Sequence, residues 1–387
     1  MSELASERMD QEEREARALL TRIAEPDEPA LGGLVARIGA VEVIHVLQSG
    51  QAEVPGAAAM RVRLAGAGGA AELAGAERVG IRFVCPGEPE WPAQLDDLGA
   101  GRPHGIWVRG PVGWRTALLE SVSVVGSRAA TGYGVHVATE LAATLAEAGW
   151  AIVSGCAFGI DVAAHRGALA VSGFTAGVLA GGVDVPYPAA HAALIERIAC
   201  EGVLLSEAPP GSTPARRRFL TRNRIIAACS RGTLVVEAAT RSGAATTARW
   251  AEHLGRVLMA VPGPITSAVS AGSNELLRSR HAVPITRAEE VIEALGRLGA
   301  DLAEPRRGTA RAADALEPKL QAVLEALPSR AVVPLGVVGR DCGRPDEEVL
   351  PALGELSVLG LVERVDGGWR LTRAARQRGS ARSAIGG

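Results

Sequence analysis

Between Ser121 and about Leu295, short apolar runs alternate with longer stretches of helical spacing, and no other feature narrows the fold as far. The runs are Ser121–Val125, Ala151–Ser154, Thr175–Leu179, Gly202–Leu205, Thr233–Val236 and Arg256–Ala260. Helical segments are expected between them at Gly134–Ala148, Ile160–Ser172, Ala189–Cys200, Thr221–Ser230 and Ala245–Leu254. A strand that is apolar throughout is covered on both faces, so the pattern predicts a parallel sheet between helical layers. Right-handed crossovers make the sheet doubly wound, a Rossmann-like α/β fold whose ligands bind outside the carboxyl ends of the strands. Two earlier strands, Val79–Cys85 and Gly105–Val108, extend this domain to residues 78–298.

The flanks differ in character. Residues 1–14 are acidic and read as disordered. Residues 15–74 read as a small helical domain, in which Leu31–Gly39 and Val41–Ser49 could pair as a helical hairpin. That hairpin fits either a helix-hairpin-helix-like DNA contact or a packing cap on the next domain. Residues 299–314 read as a linker. Residues 315–372 form a separate unit, with helices at Lys319–Leu327 and Pro345–Leu359 and a strand pair around Asp366-Gly367-Gly368, the order of a winged helix. The tail, 373–387, is rich in Arg, Ser and Gly and reads as disordered.

Composition sets further bounds. The net charge is −2, so any nucleic-acid site must be a local patch. The only lysine is Lys319, and phosphate contacts fall to arginine or backbone N–H groups. Five scattered cysteines without a CxxC pair supply no zinc framework and read as reduced thiols, which fits a cytoplasmic protein. No apolar stretch has the length of a membrane span, and no membrane partner is expected.

Several turns at predicted strand ends carry the chemistry. Val125-Gly126-Ser127-Arg128 leads through Thr131-Gly132-Tyr133-Gly134 into a helix. Glycine permits close backbone approach, and a helix start with an adjacent guanidinium suits an anion. The same residues also fit a tight turn with a solvated arginine. The dinucleotide spacing GxGxxG is absent. Ser154-Gly155 begins a second such turn, which continues to Gly159-Ile160-Asp161 and His165. Asp161 could cap the following helix and bond His165 one turn later. In the turn Glu237 to Gly243, Ser242 and Thr247 could touch phosphate or cap a helix, with capping expected of Thr247.

The sharpest signal lies between Ala208 and Val236. This stretch has no acidic residue and holds Arg216, Arg217, Arg218, Arg222, Arg224 and Arg231, with Phe219 in its middle. Cations neutralise phosphates, and a flat apolar ring stacks an unpaired base, so the combination suits single strands, although the same run also fits a solvated basic loop. Part of the cluster is expected to be structural, with Arg222 and Arg224 bonding to neighbouring loops.

Taken in order, these segments resemble the DprA/Smf family. The likeness runs through Val125-Gly126-Ser127-Arg128, Ser154-Gly155, Gly159-Ile160-Asp161 with His165, Gly181-Gly182 with Tyr187-Pro188, and Ser206-Glu207. It continues through Phe219 with Arg222-Asn223-Arg224-Ile225-Ile226, Glu237, Ser242-Gly243 with Thr247-Ala248, Val261-Pro262-Gly263, and Gly272 with Asn274. The chain departs from the family pattern at Leu220, His191 and Arg280-His281. The resemblance implies an extended Rossmann domain that binds single-stranded DNA, forms a homodimer and loads the RecA recombinase in natural transformation, without cofactor, metal or enzymatic turnover. The implied DNA-binding set is Gly126, Ser127, Arg128, Ser154, Gly155, Arg216, Phe219, Arg222, Asn223, Arg224, Ser242 and Gly243. Arg128 is expected on phosphate and Phe219 on bases, while Asp161, His165 and Glu237 brace the loops. In the winged helix, Asp346, Glu347, Glu348 and Glu355 would repel phosphate, which points to a protein-contact or regulatory role. The competing readings are a nucleotide-hydrolysing enzyme of the phosphoribohydrolase type, with Glu237 as its carboxylate, and a nicotinamide dehydrogenase, which the missing fingerprint disfavours.

Overall fold

The computed structural model describes residues 2–111, 113–279, 282–297, 301–303, 316–373 and 375–376, with side chains from Gln11 onward. The chain divides into two compact units, Met1–Ala303 and Glu304–Gly387.

Among the described residues the first unit has nine strands: β1 (Arg82–Val84), β2 (Ile106–Arg109), β3 (Ser121–Val125), β4 (Ala151–Ser154), β5 (Thr175–Leu179), β6 (Val203–Ser206), β7 (Gly232–Val235), β8 (Val257–Ala260) and β9 (Val283–Pro284). Their order across the sheet is β1-β2-β6-β5-β4-β3-β7-β8-β9. From β6 to β9 every pair is parallel. The sheet is not parallel throughout, because β2 runs antiparallel to β6 and β1 antiparallel to β2. An antiparallel pair at the edge of a parallel sheet is common, and here it covers the open edge of β6.

Five N-terminal helices precede this sheet: α1 (Ser2–Ile23), α2 (Pro29–Ile38), α3 (Ala40–Ser49), α4 (Ala57–Leu64) and α5 (Gly69–Glu77). They bury a core that includes Leu20, Ile23, Leu31, Val43 and Leu47. The segment 1–14, expected to be disordered, is helical from Ser2 onward. Its acidic residues have local work: the Glu13 carboxylate accepts the N–H groups of Ala40 (2.8 Å) and Val41 (3.2 Å) at the start of α3. Arg14 donates to the Phe83 carbonyl at 2.7 Å. α2 and α3 bend 114° apart around Gly39. The helices dock on the β1–β2 edge, where Ala18 and Ala76 pack with Phe83 and Trp107, and the Trp107 indole donates to Thr21 at 3.1 Å.

The later helices are the short α6 (Trp114–Ala117), then α7 (Gly132–Glu147), α8 (Ile160–Ala170), α9 (Ala192–Glu201), α10 (Arg216–Ala228), α11 (Gly243–His253), α12 (Ala271–Ser279) and α13 (Ala288–Leu295). Side chains alternate between two cores. Val122, Val124 and Leu234 face α7, α8 and α13, whereas Val125 and Val235 face α10 and α11. The strands are therefore covered on both sides, as their unbroken apolar sequence requires. No single helix among the described residues is long and apolar enough to cross a membrane.

The second unit contains α14 (Pro318–Glu325), α15 (Leu335–Cys342), α16 (Asp346–Val358) and an antiparallel hairpin of β10 (Val362–Val365) and β11 (Gly368–Leu371). α15 is a helix that the sequence reading did not anticipate. Gly367 takes φ of 94° in the turn, a region open to glycine. Val333 bridges Trp369, and Leu320, Val323, Val338, Leu353 and Trp369 share one core. Three helices followed by a hairpin keep the element order of a winged helix. The linker reading of 299–314 falls largely outside the described residues, as does the tail beyond Arg376.

Candidate nucleic-acid interface

From β3 the chain winds outward through β4, β5 and β6. It then crosses back through α10 to β7, beside β3, and winds the other way. The crevice at the carboxyl ends of β3 and β7 is therefore the topological switch point, where doubly wound sheets bind ligands. A cavity of about 470 Å³ opens there. Val125, Gly126, Ser127, Arg128 and Ala129 line it after β3; Ser242, Gly243, Ala244 and Thr247 line it after β7; and Ala157 and Asp161 line it after β4. Arg216, Phe219, Leu220, Arg222, Asn223 and Ile226 close it from α10.

Glu237 shapes the first turn. Its carboxylate is buried and accepts the Thr131 N–H at 2.9 Å and the Thr131 hydroxyl at 2.6 Å, while its carbonyl accepts the Ser127 N–H at 2.7 Å. Gly126 is needed because a Cβ there would stand 2.5 Å from Ile160 Cγ1 and 2.8 Å from the Glu237 carbonyl oxygen. Ser242 caps α11 by accepting the Ala245 N–H at 3.4 Å. Thr247, expected to cap, is instead buried one turn inside the helix.

The arginines divide by role. Arg222 is buried and donates to the carbonyls of Gly155 (2.7 Å) and Val178, fixing the second glycine turn against α10. Burial lowers its pKa and raises that of Asp161, and each opposes the other's shift through its charge. Arg218 pairs with Glu25 at 3.1 Å, and Arg231 lies over the Trp150 ring. Arg128 and Arg216 remain exposed on the cavity and make no ion pair among the described residues. The Arg128 guanidinium lies 5.1 Å above the centre of the half-buried Phe219 ring. Arg217 is exposed but does not line the cavity.

Nine of the twelve expected contact residues thus meet in one cavity, and Ser154, Gly155 and Arg224 do not. Ser154 is buried, with its hydroxyl donated to the Val124 carbonyl at 2.6 Å. Gly155 lies behind Arg222, whose guanidinium fills the place of any Cβ. Arg224 is fully buried and points away, bidentate to Glu207 at 2.7 and 2.8 Å, with further bonds to the carbonyls of Gly101 and Thr221. The expected Asp161–His165 bond is also absent. Asp161 turns to the Ala157 N–H at 3.3 Å, while the buried His165 ring meets Thr175 Oγ1 at 2.7 Å and Cys156 Sγ at 3.4 Å.

Sequence reasoning missed Leu220, which is exposed and lines both this cavity and a neighbouring one of about 440 Å³ that includes Arg241 and Arg249. Helical spacing held the missing signal, because residues 216, 219, 220, 223 and 226 form one stripe once α10 is started at Arg216. His191 is buried with its ring edge-on to Phe158, and Arg280-His281 lies outside the described residues.

The family model described as DNA recombination-mediator protein A matches residues 82–296, more than half of the chain. The chain belongs to this family. The DprA relative from Mycobacterium tuberculosis is 46% identical over 381 residues, covering 95% of this chain and 96% of that protein. Protein Smf of Escherichia coli is 39% identical over 270 residues, covering 66% and 69%. The X-ray structure of DprA from Streptococcus pneumoniae matches with a TM-score of 0.62 and 29% identity, over 72% of this chain and 96% of that one. The Rossmann-like class and the family resemblance expected from the sequence both stand.

Proposed function

We propose that this chain captures single-stranded DNA in the switch-point crevice, protects it, and loads RecA recombinase on it, acting as a homodimer and without chemical turnover of the strand. One observation carries the reading: Arg128 and Arg216, without ion-pair partners among the described residues, open onto the same cavity as the Phe219 ring. Arginine forks grip phosphates, an aromatic surface receives unpaired bases, and glycine turns let the backbone come close. Dimerisation brings two crevices to one strand and raises affinity through effective concentration. The acidic first turn of α16, with Asp346, Glu347 and Glu348, suits a protein contact better than phosphate.

The phosphoribohydrolase reading needs Glu237 in the cavity. Its carboxylate instead holds Thr131 and does not line that space. Nothing in the geometry favours the enzyme over the binding module.

The test is a salt titration of binding to a labelled single strand. Replacing Arg128 or Arg216 with alanine should weaken binding alike across sequences and reduce the slope of log K against log salt by about 0.7 each. Unchanged slopes would count against phosphate capture. RecA loading is read separately, as faster filament nucleation on the strand in the presence of this protein.

A further inference from the structure

A second cavity, of about 440 Å³, adjoins the crevice on its α12 side. Leu220, Ser242 and Gly243 line both spaces, so the exposed Leu220 and the start of α11 form one ridge between them. The turn after β7 gives Ala239 and Arg241 to the second cavity, α11 gives Arg249, and α12 gives Gly272 and Glu275. Its wall is fixed. Gly272 donates its N–H to the Ala238 carbonyl at 2.6 Å, and a Cβ there would lie 2.6 Å from the carbonyl oxygens of Ala238 and Ala239. α12 is thus fastened directly to the turn that carries Arg241.

The charge of this cavity is positive. Arg241 and Arg249 are exposed and make no ion pair among the described residues. Glu275, the one carboxylate on the lining, is paired with Arg278 at 2.9 Å. Arg249 bonds only the neutral Thr246 hydroxyl of its own helix, at 3.3 Å. Neither arginine ties one element to another, in contrast to Arg218, Arg222 and Arg224. Two guanidinium groups on one small space repel each other, so the fold gains nothing by holding them there. An anion entering the cavity would be bound by both.

We propose that a bound strand does not end in the crevice but continues over Leu220 into the second cavity, where Arg241 and Arg249 hold two further phosphates. The inference rests on the single-strand reading given above and extends its footprint. The ligand class is a phosphodiester chain longer than the crevice alone accommodates. Such a chain must bend over the Leu220 ridge, which an unpaired backbone does readily and a duplex, with a persistence length of about 150 base pairs, does not. Short strands occupy the crevice and leave the second cavity empty.

Anisotropy titrations with labelled oligothymidylates of about 4 and about 16 nucleotides, the span of site sizes found in single-strand grooves, test this. In the wild-type protein the slope of log K against log salt should be steeper for the long strand by about 1.4, about 0.7 for each added phosphate. Arg241→Ala combined with Arg249→Ala should remove that excess and leave the affinity and slope of the short strand unchanged. Arg241→Lys combined with Arg249→Lys should keep the excess, because lysine holds the charge. An excess that survives the double alanine variant, or an equal loss on both lengths, would overturn the proposal. If inorganic phosphate, added at constant ionic strength, cancels the advantage of the long strand, the cavity takes a free anion and the proposal falls. Arg128→Ala separates the two readings. If it weakens both lengths while the excess is missing, only the extension falls; if the wild-type protein binds neither strand, the single-strand reading falls and the extension with it.

Discussion

Two arginines on one helix, Arg216 and Arg224, should respond in opposite ways to truncation. Arg224 is 0% exposed at its side chain and meets the Glu207 carboxylate through both terminal nitrogens. It also donates to Gly101 O at 3.0 Å and Thr221 O at 3.1 Å, tying α10 to the segment before β2. Arg224→Ala leaves the Glu207 carboxylate, only 10% exposed, without its partner. Removing one member of a buried pair typically costs about 3–5 kcal/mol. Arg216 is exposed and makes no ion pair among the described residues, so Arg216→Ala should change stability by no more than about 0.5 kcal/mol. Urea unfolding followed by tryptophan fluorescence reads mainly the first unit, which holds Trp91, Trp107, Trp114, Trp150 and Trp250, against Trp369 in the second. With an m-value on the order of 3 kcal/mol/M, the midpoint for Arg224→Ala should fall by roughly 1–2 M. Equal midpoints for the two variants, or a larger fall for Arg216→Ala, would refute the division of the arginines into structural and ligand-facing groups.

Two further outcomes follow from the site's supports. Gly134→Ala sets a Cβ against the Glu237 carboxylate, so it should cost about 1–3 kcal/mol and weaken strand binding by loosening the 126–131 turn; a variant with wild-type stability and affinity would contradict the bracing role. The second concerns acid. Burial holds His165 near a pKa of about 3, below its ordinary 6.5, so the unfolded chain takes up the proton first as pH falls. Stability is therefore complete above about pH 6.5 and is lost as pH drops toward 3, by about 1.4 kcal/mol per pH unit for this residue. His165→Gln should remove one proton's worth of that slope between about pH 4 and 6, whatever its effect on the overall level; an unchanged slope in urea unfolding across that range would argue against a neutral buried ring.

The central strands β3 to β7 were legible because every residue on them is buried and glycine or polar turns bound them. β3, β4 and β5 coincide with the apolar runs residue for residue, and β6 and β7 are displaced by one. The antiparallel edge was not legible, since a short apolar run carries no mark of its direction. α10 begins five residues before its expected start, because Pro214-Ala215 offers no side-chain cap and a run of three arginines looks like solvated loop. That shift hid the stripe of Arg216, Phe219, Asn223 and Ile226 along one helix face. Composition identified a cationic segment but could not sort its members: burial decides that Arg224 supports the fold and Arg216 faces the cavity, and burial depends on contacts as distant as Gly101.

Competition between strands tests capture at the crevice most directly. A labelled single strand bound to the wild-type protein is challenged with unlabelled single-stranded or duplex DNA of equal length and at fixed salt. The single-stranded competitor should displace it at far lower concentration than the duplex, and Arg128→Ala combined with Arg216→Ala should abolish most of the binding. Equal competition by the two forms, or undiminished binding by the double variant, would contradict capture of unpaired DNA at this site.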